Sequence, residues 1–154
     1  MTGRLRNKEI IEIVDKILPP HWSRSNPIDL VGENDLSIPM TVMEALMKWD
    51  GCGAVINLGI MGRRHLVSRL ADSVRISDPT CPEDFLKIVN QSLDDFEDKY
   101  TRHIVALMEA HNKPVLGVTM LKHDKDRTVN SVGDFKYKGL IYPTPERAVL
   151  SLAK

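Results

Sequence analysis

The stretch "CGAVINLGIMGRRH", residues 52–65, decides the fold, because an apolar segment ends abruptly in it and is followed by glycines and arginines. Residues 52–60 are nearly all apolar, which is typical of a β-strand covered on both faces. A helix is predicted to begin near Arg63. The short loop between the strand and the helix contains Gly59 and Gly62, and it is either a plain turn or a place that receives an anion.

Apolar runs and helical patterns alternate outward from this loop. Apolar side chains at spacings of three and four predict helices, and short apolar runs bounded by glycine or proline predict strands. The predicted helices are residues 7–18, 36–49, 63–74, 82–111 and 144–154, and the predicted strands are residues 27–32, 52–60, 113–121 and 139–143. This order implies the α/β fold class, with a doubly wound, mainly parallel sheet of four or five strands and helices on both sides.

Prolines and helix length refine the predicted elements. Pro39 is expected in the first turn of the second helix. Thr144 is the expected N-cap of the last helix, with Pro145 at its first position. The helix at residues 82–111 is longer than most helices of globular proteins, so a break or bend is expected between residues 90 and 100.

Composition limits the class of protein. Of the 154 residues 42% are apolar, and 21 basic side chains balance 21 acidic ones. One sizeable core is therefore expected, without a net charge that would favour nucleic acid or an anionic membrane as partner. Cys52 and Cys81 are expected to be reduced thiols. No apolar run approaches the roughly 18 residues that span a bilayer, and residues 1–10 lack the apolar core of a secretion signal, so the cytoplasm is the expected location.

The loop at residues 59–65 is a candidate anion site. Ligands of parallel sheets bind beyond the carboxyl ends of the strands, and backbone N–H groups at a helix N-terminus favour phosphate or carboxylate. Arg63 and Arg64 would add charge-assisted contacts. In the alternative interpretation, Gly59 and Gly62 only supply the backbone freedom of a tight turn and the arginines are solvated. The loop matches neither the Walker pattern nor the dinucleotide-binding glycine pattern.

The other polar side chains form no motif that assigns a catalytic residue or a metal ligand. None of the five histidines lies in a His-Glu-x-x-His motif, and no Gly-x-Ser-x-Gly motif is present. His65 lies beside the candidate loop, although a solvated helix histidine is the other interpretation. The polar segment at residues 122–134 is a surface loop or a frayed helix. Two loops carry acidic side chains, and these either bind magnesium or are solvated or cap a helix. The polar residues of these loops are Glu33, Asn34, Asp35, Asp124 and Asp126.

Four segments together resemble a known family. They are "NPIDLVGE" at residues 26–33, "MEALMKWDGCGAVINLGIMGR" at 43–63, "HNKPVLGVTM" at 111–120 and "GLIYPTPERAVLSLAK" at 139–154. These segments are similar to the second flavodoxin-like ligase domain of the NDP-forming acyl-CoA synthetases, the superfamily of succinyl-CoA synthetase and the ADP-forming acetate-CoA ligases. The resemblance covers residues 19–154, except for residues 80–110 and 123–138. It implies an N-terminal helix and linker at residues 1–20 and a succinyl-CoA synthetase-like, flavodoxin-type ligase domain at residues 21–154.

The resemblance also implies a function that this chain would share with other domains. In the family, an acid, CoA and a nucleoside triphosphate give acyl-CoA, nucleoside diphosphate and phosphate through an acyl phosphate and a phosphohistidine. The partners would be a CoA-binding and phosphohistidine domain and an ATP-grasp domain, and CoA, ATP or GTP and Mg would belong to the complete enzyme. This chain alone would be inactive and would bind no cofactor. It would supply a phosphate or carboxylate cradle formed by Asn57, Gly59, Ile60, Met61, Gly62, Arg63 and Arg64.

A second interpretation belongs to a different class of function. The chain would be a non-catalytic binding or assembly module that keeps the fold and has lost the role of the loop. Ile10, Ile13, Val14 and Ile17 would then form a docking surface if no neighbour covers them. A domain fused to an acyltransferase regulator is a lesser alternative.

Overall fold

The chain divides into two compact units, Met1–Gly53 and Ala54–Lys154. The computed structural model describes residues 3–4, 8–32, 35, 37–119 and 129–153, and the side chains of all of these except residues 3–4 and 63–65. The boundary predicted at residue 20 from the family resemblance stays a prediction. Each unit is described below by itself.

The first unit is held together by two helices. Strand β1 (Gly3–Arg4) pairs antiparallel with β2 (Ser25–Asn26), and helix α1 (Lys8–Asp15) packs on α2 (Ile38–Lys48). Proline stands at the start of α2, as predicted. The buried side chains of this core are Ile10, Val14, Leu18, Trp22, Ile38 and Val42. Ile10 and Val14, which would have contributed to a docking surface if uncovered, are 2% and 0% exposed and belong to this core.

The strand predicted at residues 27–32 is wrong. No strand is assigned there, because the chain turns instead of continuing in extended form. Val31 and Gly32 have positive φ angles of 50° and 72°, and the Val31 N–H donates a 2.8 Å hydrogen bond to Asp29 Oδ1. Backbone in the left-handed region does not propagate a strand, and the bond to Asp29 takes a donor that a sheet ladder would need.

A salt-bridged carboxylate should make the stability of the first unit depend on pH. Trp22 Nε1 donates a 2.7 Å bond to Asp15 Oδ1, and Arg24 Nη2 lies 2.7 Å from the same oxygen. The Trp22 hydrogen bond first, and then Arg24, lower the pKa of Asp15. A lowered folded-state pKa gives stability that is complete above about pH 4, the ordinary range for aspartate, and is lost as the pH falls below it.

We therefore expect Asp15→Asn to lower the stability of this unit at pH 7 and to flatten its decline in acid. Both tryptophans, Trp22 and Trp49, lie in the first unit, so urea denaturation followed by tryptophan fluorescence between pH 2 and 7 reports on it. Asp50→Asn, at an exposed position, controls for the loss of a surface carboxylate. An equally steep acid decline in Asp15→Asn and in the wild-type chain would contradict the expectation.

The second unit is built on a mixed four-stranded sheet. Its strands are β3 (Val55–Leu58), β4 (Val115–Val118), β5 (Val129–Asn130) and β6 (Gly139–Tyr142), in the order β3-β4-β6-β5. The first three in that order are parallel, and β5 runs antiparallel to β6. The α/β class and the three parallel strands confirm the prediction at that level, whereas β5 was not predicted.

Three helices accompany this sheet: α3 (Arg63–Ser77), α4 (Glu83–His111) and α5 (Pro145–Leu152). Both α4 and α5 contact the sheet, and α3 packs on α4. Thr144 caps α5 as predicted, since its side chain accepts a bond from the Arg147 N–H, and Ala148 of α5 is buried against β4. None of the helices in the described ranges has both the length and the apolar composition needed to cross a membrane.

Helix α4 is continuous over 29 residues, so the break that was one of the two expectations for residues 90–100 is wrong, and the bend stays a prediction. Sharp kinks need proline, glycine, a π-bulge or an inserted group, and residues 83–111 contain neither proline nor glycine. The helix ends at His111 and is followed by Asn112, whose φ of 50° is the left-handed conformation common after a helix C-terminus. At its other end, Arg75 of α3 binds both carboxylate oxygens of Glu83 at 2.8 and 2.9 Å, which joins the two helices.

Candidate anion-binding site

The candidate loop leaves β3 at the edge of the sheet where the parallel strands end. Leu58 pairs with Val118, and Val118 pairs with Tyr142, so the carboxyl ends of β3, β4 and β6 lie side by side. The Gly59 N–H extends the β3–β4 ladder by donating a 2.9 Å bond to the Val118 carbonyl. The loop therefore starts from a fixed position at the edge where such sheets bind ligands.

The two glycines of the loop have backbone conformations that other residues rarely adopt. Gly59 has a φ of 75°, and Gly62, the N-cap of α3, has a φ of 87°. A Cβ atom on Gly62 would also lie 2.6 Å from Thr119 Oγ1, whereas a Cβ on Gly59 would have no atom within 4 Å. Gly62 is thus required both by its conformation and by the close approach of Thr119, the residue after β4, and Gly59 by its conformation alone.

The N-terminus of α3 already binds a carboxylate of the same chain. The Gly62 N–H donates a 2.8 Å hydrogen bond to Glu97 Oε1, and Glu97, on α4, is only 5% exposed. A carboxylate is favoured at this position because the helix dipole is positive at its N-terminus and the first N–H groups have no partner within the helix. The loop geometry is therefore suited to an anionic oxygen.

A second buried polar contact links the strand to α4. Asn57 Nδ2 donates to Tyr100 Oη, and the two side chains are 7% and 1% exposed. The Tyr100 ring stacks on Phe96 with 5.7 Å between the ring centroids. The Asn57 side chain is consequently engaged by α4.

The predicted site residues span the end of β3, the turn and the start of α3, and their described side chains are buried. Ile60 and Met61 are 7% and 2% exposed, and a Cβ on Gly117 of β4 would lie 2.6 Å from Met61 Sδ. Arg63 and Arg64 open α3, and their side chains lie outside the described part of the structure. Among the described atoms, this turn offers a ligand mainly backbone groups.

The remaining candidates from the sequence are Asp35, the two cysteines and several residues outside the described part of the structure. Asp35 Oδ1, in the first unit, accepts bonds from the Ser37 hydroxyl at 2.7 Å and the Ser37 backbone N–H at 2.8 Å, and the hydroxyl bond first, then the backbone bond, lower the pKa of Asp35. Cys52 and Cys81 do not form a disulfide. No group of three potential metal ligands occurs among the residues that the structure describes. Candidates outside the described residues or side chains are Glu33, Asn34, His65, Asp124 and Asp126.

The sequence analysis missed three residues of the site: Glu97, Tyr100 and Thr119. Glu97 had a detectable signal, since it lies three residues before Tyr100 and seven before Ile104, on the apolar stripe of α4. A charged residue on a stripe that faces the core needs a partner, because burying a charge without one is costly. Thr119 gave no comparable signal in the sequence. Its contact with Gly62 depends on the relative positions of the ends of β3 and β4 in the folded sheet.

Comparison of the chain with protein-family models, with curated proteins and with solved structures gives no match.

Proposed function

We propose that the chain is a ligase domain of an NDP-forming acyl-CoA synthetase and that its loop at residues 59–62 forms a phosphate or carboxylate cradle. The observation that carries the proposal is the 2.8 Å hydrogen bond from the Gly62 N–H to a carboxylate oxygen. It indicates that the donors at this helix N-terminus suit an anionic oxygen. The flavodoxin-like, doubly wound form of the fold is part of the same proposal and is compatible with the three parallel strands.

The contribution of this chain would be to position and stabilise charge. Phosphoryl transfer depends on holding the reacting groups in line and on donors aimed at the transferred oxygens. The backbone N–H groups at the start of α3 would hold the phosphate or the acid's carboxylate. The close contact between Gly62 and Thr119 would hold the turn in its conformation, since a Cβ on Gly62 would lie only 2.6 Å from Thr119 Oγ1. The phosphohistidine, CoA, ATP or GTP and Mg would be supplied by the partner domains.

Reconstitution tests this function. The chain alone should release no phosphate, and mixing it with the CoA-binding phosphohistidine domain and the ATP-grasp domain should give phosphate release that requires acid, CoA and nucleotide together. Gly59→Val should lower that rate by about tenfold or more, because its side chain would cover the open face of the turn and shift a positioned group. The rate would be followed with a coupled phosphate assay.

Gly53→Ala is the matched control, since a Cβ there has no atom within 4 Å and no positive φ is needed. Its rate should equal that of the wild-type chain. A normal rate for folded Gly59→Val would contradict the cradle. Turnover by the isolated chain would contradict the proposal that other domains are required. No turnover in the complete mixture would contradict the ligase function.

The second candidate function, a non-catalytic binding module, is favoured by apolar side chains on the helix pair. Leu66 and Leu70 on α3 are 37% and 53% exposed, and Phe85 and Ile88 on α4 are 58% and 65% exposed. Each pair lies on one face of its helix, because residues three or four apart are neighbours. Complex formation in the mixture without any turnover, and its loss in Leu70→Lys, would favour the module over the ligase.

A further inference from the structure

We propose that the outer face of the α3–α4 helix pair docks on a second copy of this chain, so that the protein forms a two-fold symmetric dimer. The proposal does not depend on the ligase function, because it concerns the outer side of the two helices and not the loop. Leu66 and Leu70 of α3 and Phe85 and Ile88 of α4 are all more than a third exposed. Large apolar side chains grouped on one surface are typical of interaction sites.

Two contacts show that α3 and α4 run in opposite directions. The Gly62 N–H at the start of α3 donates to Glu97, in the middle of α4. Arg75, near the end of α3, binds Glu83 at the start of α4. The helices are therefore antiparallel, and each residue of α3 has a neighbour on α4 at the same height along the pair.

The four apolar side chains lie on the same side of this antiparallel pair. Ala71 of α3 and Leu86 of α4 are 4% and 6% exposed, and α3 packs on α4. Leu70 and Phe85 each come one position before one of these buried residues. One position is a rotation of about 100°, and in antiparallel neighbours this rotation carries the preceding residue to the same side of the pair. The other two apolar side chains, three and four residues away, lie on the same stripes.

The two contacts between the helices also set the height of each side chain. Counting along both helices from these contacts gives three level pairs, to within about one residue: Leu66 with Ser92, Leu70 with Ile88, and Ser73 with Phe85. A two-fold axis parallel to the helices keeps these heights and places α3 of one copy over α4 of the other. Leu66 and Phe85 then face serines, and Leu70 faces Ile88. Large side chains opposite small ones allow the two faces to interdigitate.

The charges of the two helices favour this arrangement and a second copy as the occupant. Helix α3 carries four arginines and one aspartate, whereas residues 83–98 of α4 carry six acidic side chains and one lysine. A dimer with α3 over α3 would bring like charges together, and a dimer with α3 over α4 brings opposite charges together. Each copy supplies both members of the match, as a two-fold interface requires.

The size of the face predicts a weak dimer. Helix α3 has 15 residues and is about 22 Å long, and two adjacent helices are about 20 Å wide, which gives about 450 Å² per copy. A standard stable interface buries about 800 Å² per partner. We therefore expect a monomer–dimer equilibrium in the micromolar range.

Sedimentation velocity of the full chain between about 1 and 500 μM tests the proposal. The average mass should rise from that of one chain towards that of two and stop there, because a two-fold interface is closed. Leu70→Lys should weaken the dimer at least about tenfold, since it buries an unpaired charge in the face. Far-UV circular dichroism would check that the variant is folded.

Leu150→Lys is the matched control, because it makes the same substitution at a 63% exposed leucine of α5, outside the α3–α4 face. Its dimer should be as tight as that of the wild-type chain. A chain that stays monomeric over the whole range overturns the second copy as the occupant. Growth beyond the dimer, an equal loss in both variants, or an unchanged dimer in Leu70→Lys would also overturn the proposal.

Mixing two variants tests the pairing of α3 with α4. Ile88→Glu alone should weaken the dimer as Leu70→Lys does. In an equimolar mixture of these variants, the introduced lysine of one chain faces the introduced glutamate of the other, and the second Leu70–Ile88 contact is the native one. The mixture should dimerise at least about tenfold more tightly than either variant alone. Equal dimerisation in the mixture and in the separate variants would overturn the proposed arrangement.

Discussion

Replacing Gly62 with alanine is expected to lower the free energy of unfolding of the Ala54–Lys154 unit by about 3 kcal/mol. Left-handed backbone costs a residue with a Cβ about 1 kcal/mol, and forcing a methyl group into packed surroundings costs about 2 kcal/mol more. Both costs apply, because Gly62 has a φ of 87° and its Cβ would lie 2.6 Å from Thr119 Oγ1 and 2.8 Å from Thr119 Cβ. Urea denaturation followed by far-UV circular dichroism would measure the loss.

Alanine substitutions at two other glycines separate the cost of the left-handed backbone from the cost of the steric contact. Gly59→Ala should cost about 1 kcal/mol, because φ is 75° but no atom lies within 4 Å of the added carbon. Gly53→Ala should be close to neutral, because neither cost applies to it. Equal losses for Gly59→Ala and Gly62→Ala would show that the Thr119 side chain moves aside and that its close approach to Gly62 does not affect the free energy of unfolding.

Replacing Tyr100 with alanine is expected to cost about 4 kcal/mol, the usual range for a large aromatic side chain lost from a core. Tyr100 is 1% exposed, it stacks on Phe96, and its hydroxyl accepts from Asn57. Tyr100→Phe keeps the ring and removes only the hydroxyl. It should cost about 1 to 2 kcal/mol, because the buried amide of Asn57 loses its acceptor.

Tyr137→Phe provides the matched comparison for the hydroxyl. The Tyr137 hydroxyl donates to Asn112 Oδ1 at the exposed end of α4, where water can replace it. That change should cost under about 1 kcal/mol. If Tyr100→Phe costs as much as Tyr100→Ala by the same denaturation measurement, the hydrogen bond rather than the packing of the ring holds α4 to β3.

Local patterns predicted the parallel part of the sheet well. The apolar runs that contain β3, β4 and β6, and the proline and threonine signals at α2 and α5, are properties of neighbouring residues and can be read from the sequence. The failures depended on tertiary contacts or on backbone dihedral angles. The run at residues 27–32 is apolar enough for a strand, but Val31 and Gly32 turn left-handed there. Strand β5 is two residues long, which is too short to show the alternation of apolar and polar residues that predicts a strand.

The candidate site was predicted in part. The turn with Gly59 and Gly62 lies where the strand and helix patterns predicted it, at the carboxyl edge of β3. The sequence could not indicate that Glu97, 35 residues further along the chain, would occupy the Gly62 N–H. That contact depends on how α4 packs beside the sheet, and residues 80–110 matched no pattern of the suspected family. Whether the loop binds phosphate stays a prediction.

Side chains of helix α4 hold the loop in place. Turns at sheet edges commonly open on their own, with little cooperativity. Here Glu97 binds Gly62, and Tyr100 binds Asn57, so neighbouring turns at the middle of a 29-residue helix hold both ends of the loop. The loop cannot open without releasing side chains from the buried face of that helix. We therefore expect the loop and the helix to unfold together.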